Sequence, residues 1–262
     1  VTPSAGPANA RADQPLRGRV ALVTGGGRGL GRAIALALAG AGADLCVTGR
    51  DTSVLDAVAA EADATGVRTL VAGADVADSR QVRDVVARTV GELGRLDVVV
   101  NNAGVLSSLP LLETSDDEWD RVLDTNLRGT FLVTREAGRH LVAQGSGKVI
   151  NVASNYAFMG VSRHAAYTTS KAAVVAFTRT MAVEWAPHGI QVNALAPGFF
   201  ATDLNAGVRA DEDLMRRVRR SIPAPRIGSP DDLSAWAVLL ASPASDFMTG
   251  EVITIDGGET AR

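Results

Sequence analysis

From Arg19 onward, short β-branched runs alternate with longer segments whose apolar residues recur at helical spacing, and this alternation most restricts the fold. Seven runs read as strands, at residues 20–24, 44–48, 68–72, 98–101, 148–152, 191–194 and 252–255, with a helix in every gap. A strand with one solvated face alternates apolar and polar residues. Val98, Val99 and Val100 are instead consecutive, which implies cover on both faces. The expected fold class is α/β: a three-layer, doubly wound (Rossmann) sandwich around a parallel seven-stranded sheet.

At 262 residues the chain has the size of one such unit, and no Pro- or Gly-rich linker interrupts residues 19–258. Residues 19–262 are therefore expected to form a single domain. Residues 1–18, rich in Ala, Pro and Gly and without the apolar stretch of a secretory signal, read as a disordered tail. Composition excludes further classes. A formal net charge of -3 offers no global attraction to nucleic acid or anionic lipid. The longest apolar run, 33–47, is interrupted by Asp44 and too short to span a bilayer. Cys46 has no second cysteine to pair with, and His140, His164 and His188 lack zinc-ligand spacing, so no metal is expected and the setting reads as reducing and cytoplasmic.

In an open parallel sheet, ligands bind beyond the carboxyl ends of the strands, near the switch in strand order. The first strand-to-helix turn reads Thr24-Gly25-Gly26-Gly27-Arg28-Gly29-Leu30-Gly31 and opens an alanine-rich helix over 30–41. Glycines there let backbone N–H groups and the helix N-terminus approach a pyrophosphate, so dinucleotide binding is expected. The second strand ends in Thr48-Gly49-Arg50, with no carboxylate to receive ribose hydroxyls. Arg50 and Arg28 would neutralise a 2′-phosphate, which favours NADP (as NADPH) over NAD. The plainer alternative has Arg50 pointing into water or engaged by Asp51.

Tyr167 and Lys171 stand four apart in a segment, 165–185, that reads helical, so both lie on one face. A neighbouring ammonium and a cationic cofactor ring are expected to lower the tyrosine pKa toward neutrality, a change of about 3 to 4 kcal/mol. Ser154 follows the fifth strand, and Asn101-Asn102-Ala103-Gly104 follows the fourth.

With Asp75-Val76, Asn126 and Pro197-Gly198 also in order, the chain resembles the short-chain dehydrogenase/reductase family from about Arg19 to Gly258, in its 3-oxoacyl-carrier-protein reductase-like and gluconate 5-dehydrogenase-like branch. The resemblance implies an NADP-dependent ketoreductase acting on CH–OH groups, with a small-molecule carbonyl or secondary alcohol as substrate. It assigns Ser154 to hydrogen-bond the substrate oxygen, Tyr167 to exchange its proton, and Lys171 to hold the nicotinamide ribose. Asn126 would brace a backbone carbonyl and a proton-relaying water. Gly25, Arg28, Gly29, Leu30, Gly31 and Arg50 would contact the cofactor's phosphates and adenosine end. Asp75 and Val76 would line the adenine, Asn102, Ala103 and Gly104 the adjoining ribose, and Pro197, Gly198, Phe200 and Thr202 the nicotinamide. Asp75 also reads as a helix cap for 78–90.

Residues left free to choose the substrate are Leu106, Ser107, 155–159, Arg163, His164, Phe199 and Asn205. The stretch 198–228, with a helical piece at 211–222, reads as a lid. Its Arg216, Arg217, Arg219 and Arg220 read first as a solvated face and second as an anion site. The apolar helices 165–185 and 119–142 suggest, with the resemblance, a homotetramer. Two alternatives are a catalytically idle dinucleotide sensor or scaffold, and an epimerase or dehydratase of the extended relatives. The intact Ser154, Tyr167 and Lys171 argue against the first, and the glycine spacing and chain length against the second.

Overall fold

The computed structural model describes residues 14–261. Its strands are β1 (Val20–Thr24), β2 (Asp44–Gly49), β3 (Thr69–Gly73), β4 (Val98–Asn101), β5 (Gly147–Val152), β6 (Ile190–Pro197) and β7 (Val252–Ile255). Its helices are α1 (Gly29–Gly40), α2 (Thr52–Asp63), α3 (Ser79–Leu93), α4 (Asp116–Leu123), α5 (Gly129–Gln144), α6 (Ala165–Trp185), α7 (Ala206–Ala210), α8 (Glu212–Ser221) and α9 (Pro230–Ala241). The strands form one parallel sheet in the order β3-β2-β1-β4-β5-β6-β7. The order reverses between β1 and β4, which opens a crevice at their carboxyl ends.

Successive side chains of a strand face opposite ways, and here both faces are apolar. Ala21, Val23, Val98 and Val100 pack in one cluster with Ile34 and Leu38 of α1 and Leu233 and Leu240 of α9. Val20, Leu22 and Val99 pack in a second with Val82 and Val86 of α3 and Leu132 and Leu141 of α5. That is the double cover expected from the consecutive valines.

Three features differ from the sequence reading. Of the expected tail, residues 1–13 lie outside the described residues, but Leu16 is fully buried and its N–H donates to the Ala41 carbonyl at 3.0 Å. An apolar side chain that plugs the core outweighs the loop-like composition around it. The expected long helix 119–142 is two helices, α4 and α5, separated by a π-turn over Asp124–Arg128. The wider turn carries Asn126, whose side chain is drawn to partners outside the helix. The cap of α3 is Asp78, whose carboxylate accepts from the Arg80 and Gln81 N–H groups. Asp75 instead closes a local turn, accepting from the Ala77 N–H at 2.9 Å.

Candidate active site

The glycine turn folds against the end of β4. Asn102 Nδ2 donates to the Thr24 and Gly25 carbonyls at 2.9 and 3.1 Å, and the Asn102 and Ala103 N–H groups both reach Thr24 Oγ1 at 3.0 Å. This leaves no room for a side chain: a Cβ at Gly31 would lie 2.2 Å from the Gly25 carbonyl oxygen and 2.3 Å from Asn102 Nδ2. Gly25 and Gly29 adopt φ of 62° and 53°, a left-handed backbone that favours glycine.

Above this cradle lies a cleft of about 490 Å³. Its wall includes Gly25, Arg28, Gly29, Leu30 and Gly31 from the turn, Arg50 after β2, Asp75 and Val76 after β3, and Asn102, Ala103 and Gly104 after β4. Tyr167, Lys171, Pro197 and Thr202 close the other end. A Cβ-excluding cradle at a helix N-terminus, continued by two guanidinium groups, suits a dinucleotide. Asp51 is engaged with Arg28 at 3.5 Å and with Ser53, not with Arg50. Arg50 is exposed and has no hydrogen bond or ion pair among the described residues.

Gly198 and Phe200 are not on that wall. The Gly198 N–H donates to the Ile255 carbonyl at 2.9 Å, which ties it to β7. Phe200 is buried in the core, a Cβ at Gly228 would touch its ring at 2.8 Å, and its carbonyl accepts from Asn205 Nδ2 at 2.6 Å. One lone pair of the Phe200 carbonyl is thus used within the lid, and the Asn205 side chain, expected to meet substrate, is engaged there as well.

At the other end of the cleft, Ser154 follows β5 and α6 carries Tyr167 and Lys171. Ser154 lies near enough to the Tyr167 hydroxyl to favour its ionised form, and its Oγ accepts from the Tyr156 N–H at 3.2 Å. Lys171 is buried, donates to the Val152 carbonyl at 2.7 Å and stands 5.8 Å from the centroid of the Tyr167 ring. Asn126 Oδ1 accepts from the Val105 N–H at 2.8 Å, while its Nδ2 donates to the Val105 carbonyl and to Ser170 Oγ, each at 3.0 Å. Asn126 therefore clamps the loop after β4 to the helix bearing Tyr167 and Lys171. Gly104 leaves space for this approach, since a Cβ there would sit 3.3 Å from Asn126 Oδ1 and 3.6 Å from Lys171 Nζ.

The electrostatics of the chain's own groups do not by themselves lower Tyr167. Burial pushes the Tyr167 hydroxyl up to about 12, outweighing the lowering effect of Ser154. Burial also lowers Lys171 to about 8. The ammonium lies over the ring and spends its hydrogen bond on a carbonyl, so the chain's own groups hold Tyr167 as a neutral phenol rather than lowering it.

Of the remaining candidates, Ser107 is buried and helps to hold the Glu118 carboxyl low, after Arg121. His164 packs edge-on against Tyr156 with centroids 5.4 Å apart, and Tyr156 meets Tyr167 edge-on at 6.1 Å. Arg163 has a left-handed φ of 67°. Arg216, Arg217, Arg219 and Arg220 are exposed, with Arg216 paired to Asp213. Sequence reasoning missed Glu259, which bonds Asn155; the available signal was a lone carboxylate directly after Gly257-Gly258. Among the described residues no helix is long and apolar enough to cross a membrane, and no cluster of His, Cys, Asp and Glu has the makings of a metal site.

A family model described as enoyl-(acyl carrier protein) reductase matches residues 25–260. A 2-dehydro-3-deoxy-D-gluconate 5-dehydrogenase of Dickeya dadantii is 41% identical over 248 residues, covering 94% of this chain and 97% of the relative. A 3-oxoacyl-(acyl-carrier-protein) reductase of Synechocystis sp. is 39% identical over 245 residues, covering 93% of this chain and 97% of the relative. The crystal structure of a gluconate 5-dehydrogenase from Burkholderia cenocepacia J2315, in complex with NADP and tartrate, matches with a TM-score of 0.91 at 37% identity, over 96% of this chain and 100% of that one.

Proposed function

The chain belongs to the short-chain dehydrogenase/reductase family and is an oxidoreductase acting on CH–OH groups; from that premise we propose that it reduces a small-molecule ketone, reversibly, with NADP(H) preferred over NAD(H). The observation that carries this reading is the placement of Tyr167 and Lys171 at the end of a glycine-cradled cleft, with Ser154 beside the Tyr167 hydroxyl. When bound there, the nicotinamide supplies the hydride or takes it back.

The chain's own part is to place and move a proton. Ser154 and Tyr167 present two hydroxyls to one substrate oxygen. Because burial keeps Tyr167 protonated at neutral pH, it donates its proton to the oxygen that becomes the alcohol and is left as a phenolate that solvent reprotonates. In oxidation the phenol must first give its proton to solvent, and the phenolate then takes the alcohol proton. Lys171, fixed by the Val152 carbonyl, lines the cleft beside Tyr167, and Asn126 keeps the Val105 loop and α6 in register around it. Arg28 and Arg50 flank the position of an adenosine 2′-phosphate, and the free guanidinium of Arg50 supports the NADP preference. Asp75, Val76, Asn102, Ala103 and Gly104 line the adenosine side; Pro197 and Thr202 line the nicotinamide side.

The proposal extends to a cytoplasmic homotetramer, supported by exposed apolar side chains on the outer helices, Phe131 on α5, Val183 on α6 and Trp236 on α9. The test is turnover of a carbonyl panel, including 5-ketogluconate, a quinone and a 3-oxobutanoyl thioester, with NADPH and with NADH. Turnover of one member, lost in Tyr167→Phe, supports the reading; no turnover with either cofactor overturns it and leaves the idle sensor.

A further inference from the structure

The last described turn sends a carboxylate back toward the site. Asp256 anchors it, accepting from the Gly258 N–H at 2.9 Å, the Thr260 N–H at 2.8 Å and the Thr260 hydroxyl at 2.7 Å. From this base Glu259 reaches two separate elements. Its Oε2 accepts from Asn155 Nδ2 at 2.9 Å, and its Oε1 lies 2.8 Å from the Ser221 hydroxyl, whose single proton it shares with the Val218 carbonyl, also at 2.8 Å. Asn155 is 1% exposed and immediately follows Ser154, whose hydroxyl donates to Asn155 Oδ1 at 3.4 Å. Ser221 is the last residue of α8.

The same segment seats the end of the lid. The Ala224 N–H donates to the Gly257 carbonyl at 2.9 Å, and a Cβ at Gly257 would lie 2.7 Å from Ile222 Cγ2. Among the described residues of the lid helices, α7 buries none and α8 buries Met215, with Ile222 buried just after it. With so few apolar contacts, local opening of α8 is cheap, and a pair of hydrogen bonds to one carboxylate weighs heavily.

We propose that Glu259 is a positioning residue that holds Asn155, and through it Ser154, while binding Ser221, so that docking of α8 and alignment of the site serine depend on one carboxylate. The role in turnover rests on the reductase reading above; the seating of α8 does not.

Hydrogen exchange of the full chain and steady-state kinetics on the carbonyl panel test this together. In Glu259→Ala, exchange across 206–222 rises about fivefold while β1 and α1 keep wild-type protection, and kcat falls about tenfold with KM changed less than threefold, as loss of two hydrogen bonds predicts. Ser221→Ala frees α8 but leaves the Asn155 bond, so exchange rises while kcat falls about threefold at most. Glu259→Gln rescues both readouts to within about threefold of wild type, because its amide oxygen can accept from Asn155 and its amide N–H can donate to Ser221 Oγ. Wild-type α8 exchange in Glu259→Ala overturns the proposal, as does acceleration spread over the whole chain. A wild-type protein that turns over no carbonyl defeats the reductase reading, and the exchange data then still decide the link to α8.

Discussion

Lys171 and Tyr167 share a face of α6 with the ammonium 5.8 Å from the phenol ring centroid, yet the ammonium's hydrogen bond goes to the Val152 carbonyl. In the proposed reduction, proton donation rests on the phenol itself, which burial keeps protonated. Tyr167→Phe keeps the ring and its edge-on contact with Tyr156 while deleting that proton. We expect kcat to fall about 10³-fold, within the usual range for loss of a general acid, with NADPH affinity within about twofold of wild type. Steady-state turnover and fluorescence titration check both halves; residual activity above about a tenth of wild type would remove Tyr167 from the proton-transfer role.

Arg50 is exposed, lines the cleft and has no partner among the described residues, whereas Arg28 is paired with Asp51. Arg50→Ala should weaken NADPH binding about 10- to 100-fold, the value of one or two charge-assisted hydrogen bonds, and leave NADH nearly unchanged. Calorimetric titration with both cofactors measures it. Equal losses for the two would show that Arg50 does not read a 2′-phosphate.

Two glycines of α1 separate the cradle from ordinary helix. A Cβ at Gly31 would meet backbone at 2.2 Å, so Gly31→Ala must move the turn, with an expected cost of about 1 to 3 kcal/mol and loss of dinucleotide binding. At Gly40 nothing lies within 4 Å, and Gly40→Ala should stabilise by about 0.5 to 1 kcal/mol through helix propensity. Thermal melts with and without NADPH distinguish them. Similar behaviour of the two variants would contradict the tight packing of the turn.

Much of this was legible because it is local. The alternation of periodicities located all seven strands, and the helix over 165–185 matches α6 residue for residue. Strand ends were less so: β6 runs on to Pro197 because Leu195 and Pro197 pair with Ile253 and Ile255, partners nearly sixty residues away. The break in 119–142 is likewise tertiary, since the π-turn lets Asn126 reach Val105 and Ser170. Asp75 and Asp78 both suit a cap by residue type, and only the backbone decides for Asp78. Leu16 and Glu259 escaped because a single buried leucine or a single placed carboxylate has no periodicity to betray it. The Tyr167 and Lys171 spacing reported proximity but not which atom the ammonium touches, and in the chain alone burial outweighs it.

The depressed Lys171 gives a pH signature in stability that needs no turnover. Its value falls from 10.5 to about 8 because folding buries the ammonium. Below pH 8 the lysine is protonated folded or unfolded, so the cost of burying the charge is fully present. As pH rises from 8 toward 10.5 the folded state releases its proton first, the unfolded state binds more protons, and that cost disappears. Unfolding free energy relative to Lys171→Met should thus rise with pH across this window, by about 2 to 3 kcal/mol in all at about 1.4 kcal/mol per pH unit. Above pH 10 the raised Tyr167 acts oppositely, since its unfolded phenol ionises before its folded one near 12. Tyr167 and Cys46 remain in the variant and largely cancel in the difference. Urea unfolding of both proteins at intervals from pH 7 to 10, without added cofactor, measures the curve. A flat or falling difference would mean that Lys171 is not buried as a charge, and with it would go the account of why its one hydrogen bond is given to Val152.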